Sequence, residues 1–294
     1  MVPGGSSGSR STGRLRAVKC PLCGGASAVR FEAHGYPVLR CQACGHEFAG
    51  LSQTEGHVER TYSGSYFHGG AAGYADYLAE AGILRDHGRR YARLIRPWRG
   101  PGRMLDVGAA AGFILRGFAD EGWTGIGVEP NAVMARHGRE QLGIDVRQGT
   151  LESCGELGQF DLVSMIQVIA HFADPVAALG AAARLTRPGG YWLIETWNRA
   201  SWTARMFGKN WHEYSPPSVL HWFTPGSLEQ AAARFGMRRV AGGRPGKWIA
   251  GGHAVSLLKH KSRVLGSVAE RLVPERLAIP YPAEDLFWML LRQG

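Results

Sequence analysis

Short apolar segments alternate with segments of helical spacing between residues 103 and 196. Asp174 followed by Pro175 is a typical helix start, because the aspartate caps the helix and proline suits its first position. Such alternation predicts an α/β fold with a doubly wound, mostly parallel sheet. The predicted strands are Arg103–Val107, Gly125–Val128, Ile144–Arg147, Phe160–Ile166 and Tyr191–Thr196, and the predicted helices are Phe113–Asp120, Ala132–Leu142 and one that runs from Pro175 to before Pro188.

The flanking segments extend this plan. Helical spacing predicts a helix from Tyr74 to Arg96, before the first strand of the sheet, and a second helix at Ser227–Phe235. Antiparallel strands at Val240 and at Ala254–Leu258 are predicted to close the sheet. The amphipathic tail ends in an apolar stripe, Leu286–Leu291, and the sequence leaves open whether the stripe packs on the sheet or joins two subunits, so both a monomer and a homodimer are expected states.

Four of the five cysteines form two pairs, Cys20–Cys23 and Cys41–Cys44, separated by seventeen residues. This spacing is typical of a zinc site built from two knuckles. Four thiolates close the coordination shell of Zn²⁺, so the predicted ion is structural and not catalytic. Two disulfides are the alternative, and they would suit a secreted protein. Cys154 is left over and is predicted to be an ordinary buried thiol.

Composition restricts the partners of the chain. There are 34 lysines and arginines against 24 aspartates and glutamates, a formal charge of +10, which suits either a solvated basic surface or phosphate contacts. No uncharged apolar run reaches the roughly 18–20 residues that a membrane span needs, and the first twenty residues lack a secretory core. We therefore expect a cytoplasmic protein with no membrane partner.

These patterns divide the chain into segments. The predicted division is a disordered tail at residues 1–17, a zinc ribbon at 18–50, a linker and helical segment at 51–100, a cofactor-binding domain at 101–260 with an aromatic lid at 197–225, and an amphipathic C-terminal tail at 261–294.

The turn after the first predicted strand of the sheet indicates the cofactor. It contains Asp106, Gly108 and Gly112, and Glu129 ends the next strand, twenty-three residues after Asp106. A carboxylate at that place can accept hydrogen bonds from the two hydroxyls of a ribose. The turn lacks the glycine pattern of a dinucleotide site, and an aspartate there repels phosphate and suits a cationic amino group. A nucleoside that carries an ammonium group and no phosphate describes S-adenosylmethionine, whereas an NAD-dependent enzyme is the alternative.

The ordered motifs resemble class I S-adenosylmethionine-dependent methyltransferases, in particular a bacterial subgroup with an N-terminal zinc ribbon. The matching motifs are Tyr66-Phe67-x-Gly-Gly, Asp106-Val-Gly108, Gly127-Val-Glu129-Pro130, Phe160-Asp161-Leu-Val and Arg187-Pro-Gly-Gly190. The resemblance implies a cofactor site formed by Tyr66, Asp106, Gly108, Gly112, Glu129, Pro130, Thr150, Leu151 and Gln167. The family often has aspartate where Thr150 stands, and Glu152 is the candidate replacement.

Candidate acceptor groups follow the fourth and fifth predicted strands. The family often has His-x-x-Glu-His after the fourth strand; here only the last histidine, His171, is kept, and it serves either as a general base or as a structural group. The aromatic segment 197–225 either forms a lid over the acceptor or packs on the sheet edge. Its candidate bases are His212, Tyr214 and His221.

The resemblance implies an enzyme that transfers a methyl group in line from S-adenosylmethionine to O, N or C of a small molecule, in natural-product, sugar or lipid biosynthesis. An RNA base methyltransferase is the first alternative, since some of these also begin with a Cys-Pro-x-Cys zinc module. A non-catalytic protein that binds the cofactor is the second.

Overall fold

A computed structural model describes residues 18–51, 61, 77–252, 255, 263–274, 277–281 and 283–294. The described strands are β1 Ser27–Ala33, β2 Tyr36–Cys41, β3 Glu47–Ala49, β4 Arg103–Val107, β5 Thr124–Glu129, β6 Val146–Gln148, β7 Phe160–Ile166, β8 Thr186–Trp197, β9 His221–Trp222, β10 Met237–Gly243, β11 Lys247–Ala250, β12 Ala278–Tyr281 and β13 Leu286–Gln293. The described α-helices are α1 Ala81–Ile95, α2 Phe113–Asp120, α3 Ala132–Leu142, α4 Pro175–Leu185, α5 Trp202–Phe207, α6 Pro225–Ala233 and α7 Arg263–Leu272.

A seven-stranded sheet forms the centre, with the strand order β10-β13-β8-β7-β4-β5-β6. Strands β4 to β8 pair in parallel, and β13 pairs antiparallel with both β8 and β10. The predicted doubly wound, mostly parallel fold is confirmed. The chain runs outward from β4 to β6 and then returns to place β7 on the other side of β4. In such sheets this reversal opens a crevice at the carboxyl ends of the strands, where ligands bind.

Both faces of the central sheet are buried. Along β7, Leu162 packs against the side that carries α1 and α2, whereas the neighbouring Val163 packs against the side that carries α4 and α6. Leu290 and Leu291 of β13 divide between the same two clusters, and neither side chain is exposed. Strands covered on both faces read as continuous apolar runs, which explains why their positions, though not their order, were visible in the sequence.

The closing strands differ in part from the prediction. Val240 lies in β10, an antiparallel strand as predicted, but the strand expected at Ala254–Leu258 is wrong at Val255, which is helical, and its other residues lie outside the described part of the chain. The apolar stripe Leu286–Leu291 belongs to β13 and is inserted between β8 and β10. The expected C-terminal tail therefore contributes an inner strand, because only a central position buries both faces of so apolar a run.

The cysteine-containing segment forms a second, four-stranded sheet with the order β1-β2-β3-β9. Its last strand comes from the aromatic segment 197–225, and the pairing joins Phe48 to His221. Trp211, Tyr214 and Trp222 are buried in a cluster that also contains Val38 of β2. Most of the aromatic side chains that could have formed a lid are therefore packed against the ribbon, while Trp202 stays 66% exposed.

Within the described residues, no helix combines the length and the apolar character that crossing a membrane requires.

Candidate functional site

The turn after β4 lies at the reversal point of the sheet and is shaped by glycine. Gly108 and Gly112 adopt the left-handed conformation, with φ of 68° and 84°. A Cβ atom at Gly108 would lie 2.6 Å from Val168 Cγ2, so a larger residue would not fit. Ala110 between them is also left-handed, with φ of 47°, a conformation that is uncommon without glycine. The turn therefore holds its backbone in a fixed and partly strained shape at the mouth of the crevice.

Asp106, next to this turn, is only 3% exposed. Its Oδ1 accepts a hydrogen bond of 2.7 Å from the Ser164 hydroxyl of β7. Burial raises the pKa of Asp106 from its ordinary 3.8 to about 7, and the charge of Glu129 adds to this effect while the Ser164 hydroxyl opposes it. The side chain is thus poised to take up or release a proton near neutral pH, depending on what binds beside it.

Glu129 ends β5 beside the same turn and is 4% exposed. Its Oε2 accepts the backbone N–H of Ala110 at 2.9 Å, and its Oε1 accepts that of Asn131 at 2.8 Å. Burial raises the pKa of Glu129 from 4.5 to about 7, although both N–H groups favour the ionised form. One carboxylate therefore fixes two loops that border the crevice, and each oxygen keeps a lone pair for a ligand hydroxyl.

Two further predicted cofactor residues follow β6. The Gly149 N–H donates to the Glu129 carbonyl at 3.0 Å, which brings this turn next to the end of β5. The Thr150 hydroxyl lies 3.1 Å from the Ser153 hydroxyl, while the Leu151 side chain is 4% exposed. Pro130 stands between Glu129 and Asn131, which caps α3. Tyr66 and Phe67 lie outside the described residues.

Gln167 directly follows β7 and adopts φ of 57°. Its side-chain Nε2 donates to Glu195 Oε1 at 2.6 Å, and its N–H donates to the Glu195 carbonyl at 2.9 Å. A left-handed glutamine at a strand end is an uncommon conformation, of the kind that is often kept at functional sites. The contact joins the carboxyl ends of β7 and β8.

Glu195 is a buried carboxylate that the sequence analysis missed. It is fully buried, it accepts a hydrogen bond from the Tyr91 hydroxyl, and its Oε2 lies 3.2 Å from His87 Nε2. Because Gln167, which directly follows β7, also contacts Glu195, His87 of α1 lies near the carboxyl ends of β7 and β8. The available signal was a glutamate inside the apolar run Tyr191–Thr196, since charged residues are rarely buried without a role.

The predicted bases His171 and His221 are brought close to one another. His171 Nδ1 lies 2.7 Å from the Ser218 carbonyl, and His221 Nε2 lies 2.9 Å from the Phe172 carbonyl. His221 Nδ1 also lies 3.2 Å from His46 Nε2 of the ribbon, and burial lowers the pKa of His221 to about 4. The second histidine is therefore a neutral group with both nitrogens in hydrogen-bond contact.

The other two predicted bases lie apart from this pair. The Tyr214 hydroxyl donates to Glu47 Oε2 of the ribbon at 2.6 Å, and burial raises the pKa of Tyr214. His212 is half exposed, and its Nε2 lies 3.1 Å from Glu213 Oε1. Tyr214 thus belongs to the junction with the ribbon, and His212 to the surface of the aromatic segment.

The four patterned cysteines form one cluster in which all sulfurs lie within 4.8 Å of one another. The Cys23–Cys41 sulfurs are 3.4 Å apart and the Cys20–Cys44 sulfurs 3.7 Å apart, too far for disulfides. Four sulfurs at about 2.3 Å from one Zn²⁺ would stand about 3.8 Å apart, so the geometry and the donor set fit a structural zinc ion. Gly24 and Gly45 have positive φ, as the knuckle turns require.

Comparison with known proteins agrees with this geometry. Residues 78–241 match the family described as the methyltransferase domain. The chain is 32% identical over 179 residues to the ubiquinone biosynthesis O-methyltransferase of Azorhizobium caulinodans, and 33% identical over 146 residues to that of Rhodopseudomonas palustris strain HaA2. The matches cover 55% and 46% of this chain and 70% and 58% of the two relatives, so the second relative is matched over little more than half its length.

Solved structures share the fold at low sequence identity. A candidate methyltransferase from a complex with the Trm112 methyltransferase activator of Haloferax volcanii aligns with a TM-score of 0.55 and 16% identity, over 75% of this chain and 95% of that one. A candidate methyltransferase of Bacillus halodurans C-125 aligns with a TM-score of 0.52 and 13% identity, over 70% of this chain and 98% of that one. With the family match over more than half of its length, the chain belongs to the class I S-adenosylmethionine-dependent methyltransferases.

Proposed function

We propose that this protein transfers a methyl group from S-adenosylmethionine to a hydroxyl oxygen of a small organic acceptor. The observation that carries the proposal is the pair of carboxylates, Asp106 and Glu129, buried at the ends of the neighbouring strands β4 and β5. Within the described residues, neither forms an ion pair with a cation, and burial raises the pKa of each. A cationic ligand rich in hydroxyl groups would satisfy both.

Each residue has a proposed role toward the cofactor. Asp106 holds the amino group, and Glu129 accepts hydrogen bonds from the ribose hydroxyls. Gly108 and Gly112 allow the backbone to approach the ligand closely. Thr150 and Leu151 border the adenine. They lie in the turn after β6, which contacts the end of β5 through the hydrogen bond from the Gly149 N–H to the Glu129 carbonyl.

When bound, S-adenosylmethionine supplies a methyl group whose carbon bonds to the acceptor oxygen as its bond to sulfur breaks and the electron pair stays on sulfur. The chain has to hold the acceptor oxygen in line with that bond, and positioning of this kind lowers a barrier by about 7–11 kcal/mol. It also has to receive the hydroxyl proton. The polar groups at the acceptor side are His171, after β7, and the pair of Glu195 and His87, and Glu195 also contacts the predicted cofactor residue Gln167.

Two observations favour a small acceptor. The two curated relatives are named as O-methyltransferases of ubiquinone biosynthesis, which supports an oxygen of a small molecule. Three large aromatic side chains of the segment 197–225, those of Trp211, Trp222 and Phe223, are at most 1% exposed and so do not offer a surface on which bases of RNA could stack.

Calorimetric titration with S-adenosylhomocysteine, the reaction product, tests the cofactor site. We expect Glu129→Ala to weaken binding at least about tenfold, because hydrogen bonds to a charged group contribute about 1.5–3 kcal/mol each. Glu129→Gln keeps one acceptor oxygen for the flanking loops and separates loss of charge from loss of fold. Glu140→Ala, on the exposed face of α3, is the matched control.

Formation of S-adenosylhomocysteine with panels of phenols, sugars, amines and transcribed RNA tests the acceptor. Turnover with a hydroxyl compound supports the proposal. Turnover confined to RNA contradicts it, and so does wild-type product affinity in both Glu129 variants.

A further inference from the structure

A cavity of about 380 Å³ lies between the ribbon and the segment that follows β8. It is distinct from the crevice beside Asp106 and Glu129, and none of the predicted cofactor residues that the structure describes lines it. Its lining residues are Arg30, Arg199, Ala200, Ala204, Arg205, Gly208, Tyr214 and Thr224.

The lining is strongly cationic. Among the residues that the structure describes, it contains three arginines and no acidic residue. The described carboxylate that contacts two of these arginines is Glu47 of β3, which is fully buried and accepts hydrogen bonds from Arg30 and Arg199 on its Oε1. Arg205 has no ion-pair partner within the part of the chain that the structure describes. One carboxylate against three guanidinium groups leaves the cavity with excess positive charge.

Arg199 is held in place by hydrogen bonds that use two of its five N–H donors among the described residues. Its Nη1 donates to Glu47 at 3.2 Å and its Nη2 to the Gly45 carbonyl at 3.0 Å, while its buried Nε–H has no partner among the described residues. Burial lowers the pKa of Arg199, although Glu47 opposes this, which is what a desolvated guanidinium next to other cations shows. A guanidinium with donors left unpaired in a partly buried place is costly, and an oxyanion in the cavity that Arg199 lines would pair with the remaining donors of its two Nη groups.

The position of the cavity relates it to the reaction. Arg199 and Ala200 follow the end of β8, so the cavity lies at the carboxyl edge of the sheet, the edge that also carries the cofactor turn. It lies beyond β8, whereas the predicted ribose carboxylate ends β5, three strands away in the sheet order. We therefore place a ligand at this end of the edge on the proposed acceptor side of the crevice.

We infer that this cavity binds an oxyanion, a carboxylate or a phosphate, carried by the methyl acceptor. The inference rests on the proposed function and narrows it from a small hydroxyl compound to an anionic one. The guanidinium groups of Arg199 and Arg205 supply the charge and the donors, because arginine pairs readily with carboxylate and phosphate oxygens. Arg30 adds charge from β1.

Thermal unfolding with inorganic phosphate or sodium acetate, each compared with sodium chloride at equal ionic strength, tests the inference in the full chain with zinc bound. A ligand that binds only the folded state raises the unfolding temperature in proportion to ln(1 + [L]/Kd). We expect at least one of the two anions to stabilise the protein beyond chloride. Stabilisation by phosphate alone identifies a phosphate group, and stabilisation by acetate identifies a carboxylate.

Arg205→Gln is the informative variant because its side chain is exposed and lies outside the contacts that hold Glu47. We expect it to raise the Kd of the stabilising anion at least about tenfold, by loss of a charge-assisted contact. Arg184→Gln is the matched control, since this exposed arginine ends α4 at the opposite edge of the sheet.

Equal effects of all three salts on the wild-type protein, or an unchanged Kd in Arg205→Gln, would overturn the inference. Titration of the same samples with S-adenosylhomocysteine keeps the two proposals apart. If the wild-type protein binds S-adenosylhomocysteine but no anion, only the proposed oxyanion site is refuted. If it does not bind S-adenosylhomocysteine, the proposed function is refuted as well.

Discussion

Cofactor affinity should depend on pH in a direction that the two buried carboxylates determine. Burial raises the pKa of both Asp106 and Glu129 to about 7 in the ligand-free protein. An ammonium group beside Asp106 and ribose hydroxyls on Glu129 both favour the ionised forms. The protein must therefore release protons to bind the ligand below neutral pH, and affinity for S-adenosylhomocysteine should rise as the pH is raised.

The size of the effect follows from linkage. For a single group with a pKa near 7, the protonated fraction reduces the apparent affinity about thirtyfold at pH about 5.5 and by less than a factor of about two at pH about 7.5. One carboxylate thus gives a change of about 25-fold across this range. If Asp106 and Glu129 both ionise on binding, the change is larger, but the two effects do not simply multiply because each charge raises the other's proton affinity.

The stability of the ligand-free protein should change in the opposite direction. Glu129 has a pKa of 4.5 when unfolded and about 7 when folded, so the folded state binds more protons between these values. The free energy of unfolding therefore falls as the pH rises through this window, by about 3 kcal/mol for this group at 1.36 kcal/mol for each pKa unit. Asp106 acts in the same direction from its ordinary value of 3.8.

Calorimetry in buffers of different ionisation enthalpy measures both the affinity and the protons released. Asp106→Asn should weaken binding at pH about 7.5 and should reduce the steepness of the pH dependence, since one titrating group is gone. Asp145→Asn, an exposed aspartate before β6, should leave both unchanged. A wild-type affinity that is constant from pH about 5.5 to about 7.5, or an Asp106→Asn protein with the wild-type slope, would refute the proposed contacts.

Three other predictions test separate parts of the molecule. Chelation of zinc should unfold residues 18–49, and proteolysis of that segment at an unchanged rate would contradict this. Glu195→Gln should lower the turnover number with little effect on product affinity, whereas an equal loss of both would assign it to cofactor binding. Leu290→Ala should lower the free energy of unfolding by about 2–5 kcal/mol, as expected for a fully buried strand residue, while Val240→Ala, which is 39% exposed, should cost less; equal small effects would argue against an inner β13.

The sequence predicted well those parts of the fold whose signals are local. Strands β4 and β7 and helices α2 and α3 have the predicted bounds, because apolar runs and helical spacing are read within one element. The cysteine cluster and the left-handed conformation of Gly24 and Gly45 could also be predicted from the sequence, because the spacing of the cysteines itself indicates a metal site.

The features that could not be predicted from the sequence are contacts between segments that lie far apart in the chain. The order β10-β13-β8 places the C-terminal strand inside the sheet, and an apolar run alone does not say which strand it pairs with. The contact between Gln167 and Glu195 likewise joins the ends of two strands, and only the structure brings them together. The pairing of Phe48 with His221 joins residues far apart in the chain, so no local pattern could predict it.

The pairing of β3 with β9 also bears on the structural role of the metal site. The Ala49 N–H donates to the Leu220 carbonyl, and the Leu220 N–H donates to the Ala170 carbonyl, each at 2.8 Å, so β3 connects through one residue to the segment that carries His171. Structural zinc contributes about 10–16 kcal/mol to the folding of small modules that depend on it. Zinc held by the four cysteines would stabilise β3, and with it the contacts to the segment that carries His171, which we propose lies on the acceptor side. The ribbon is therefore better understood as a support of the segment that carries His171 than as a separate module.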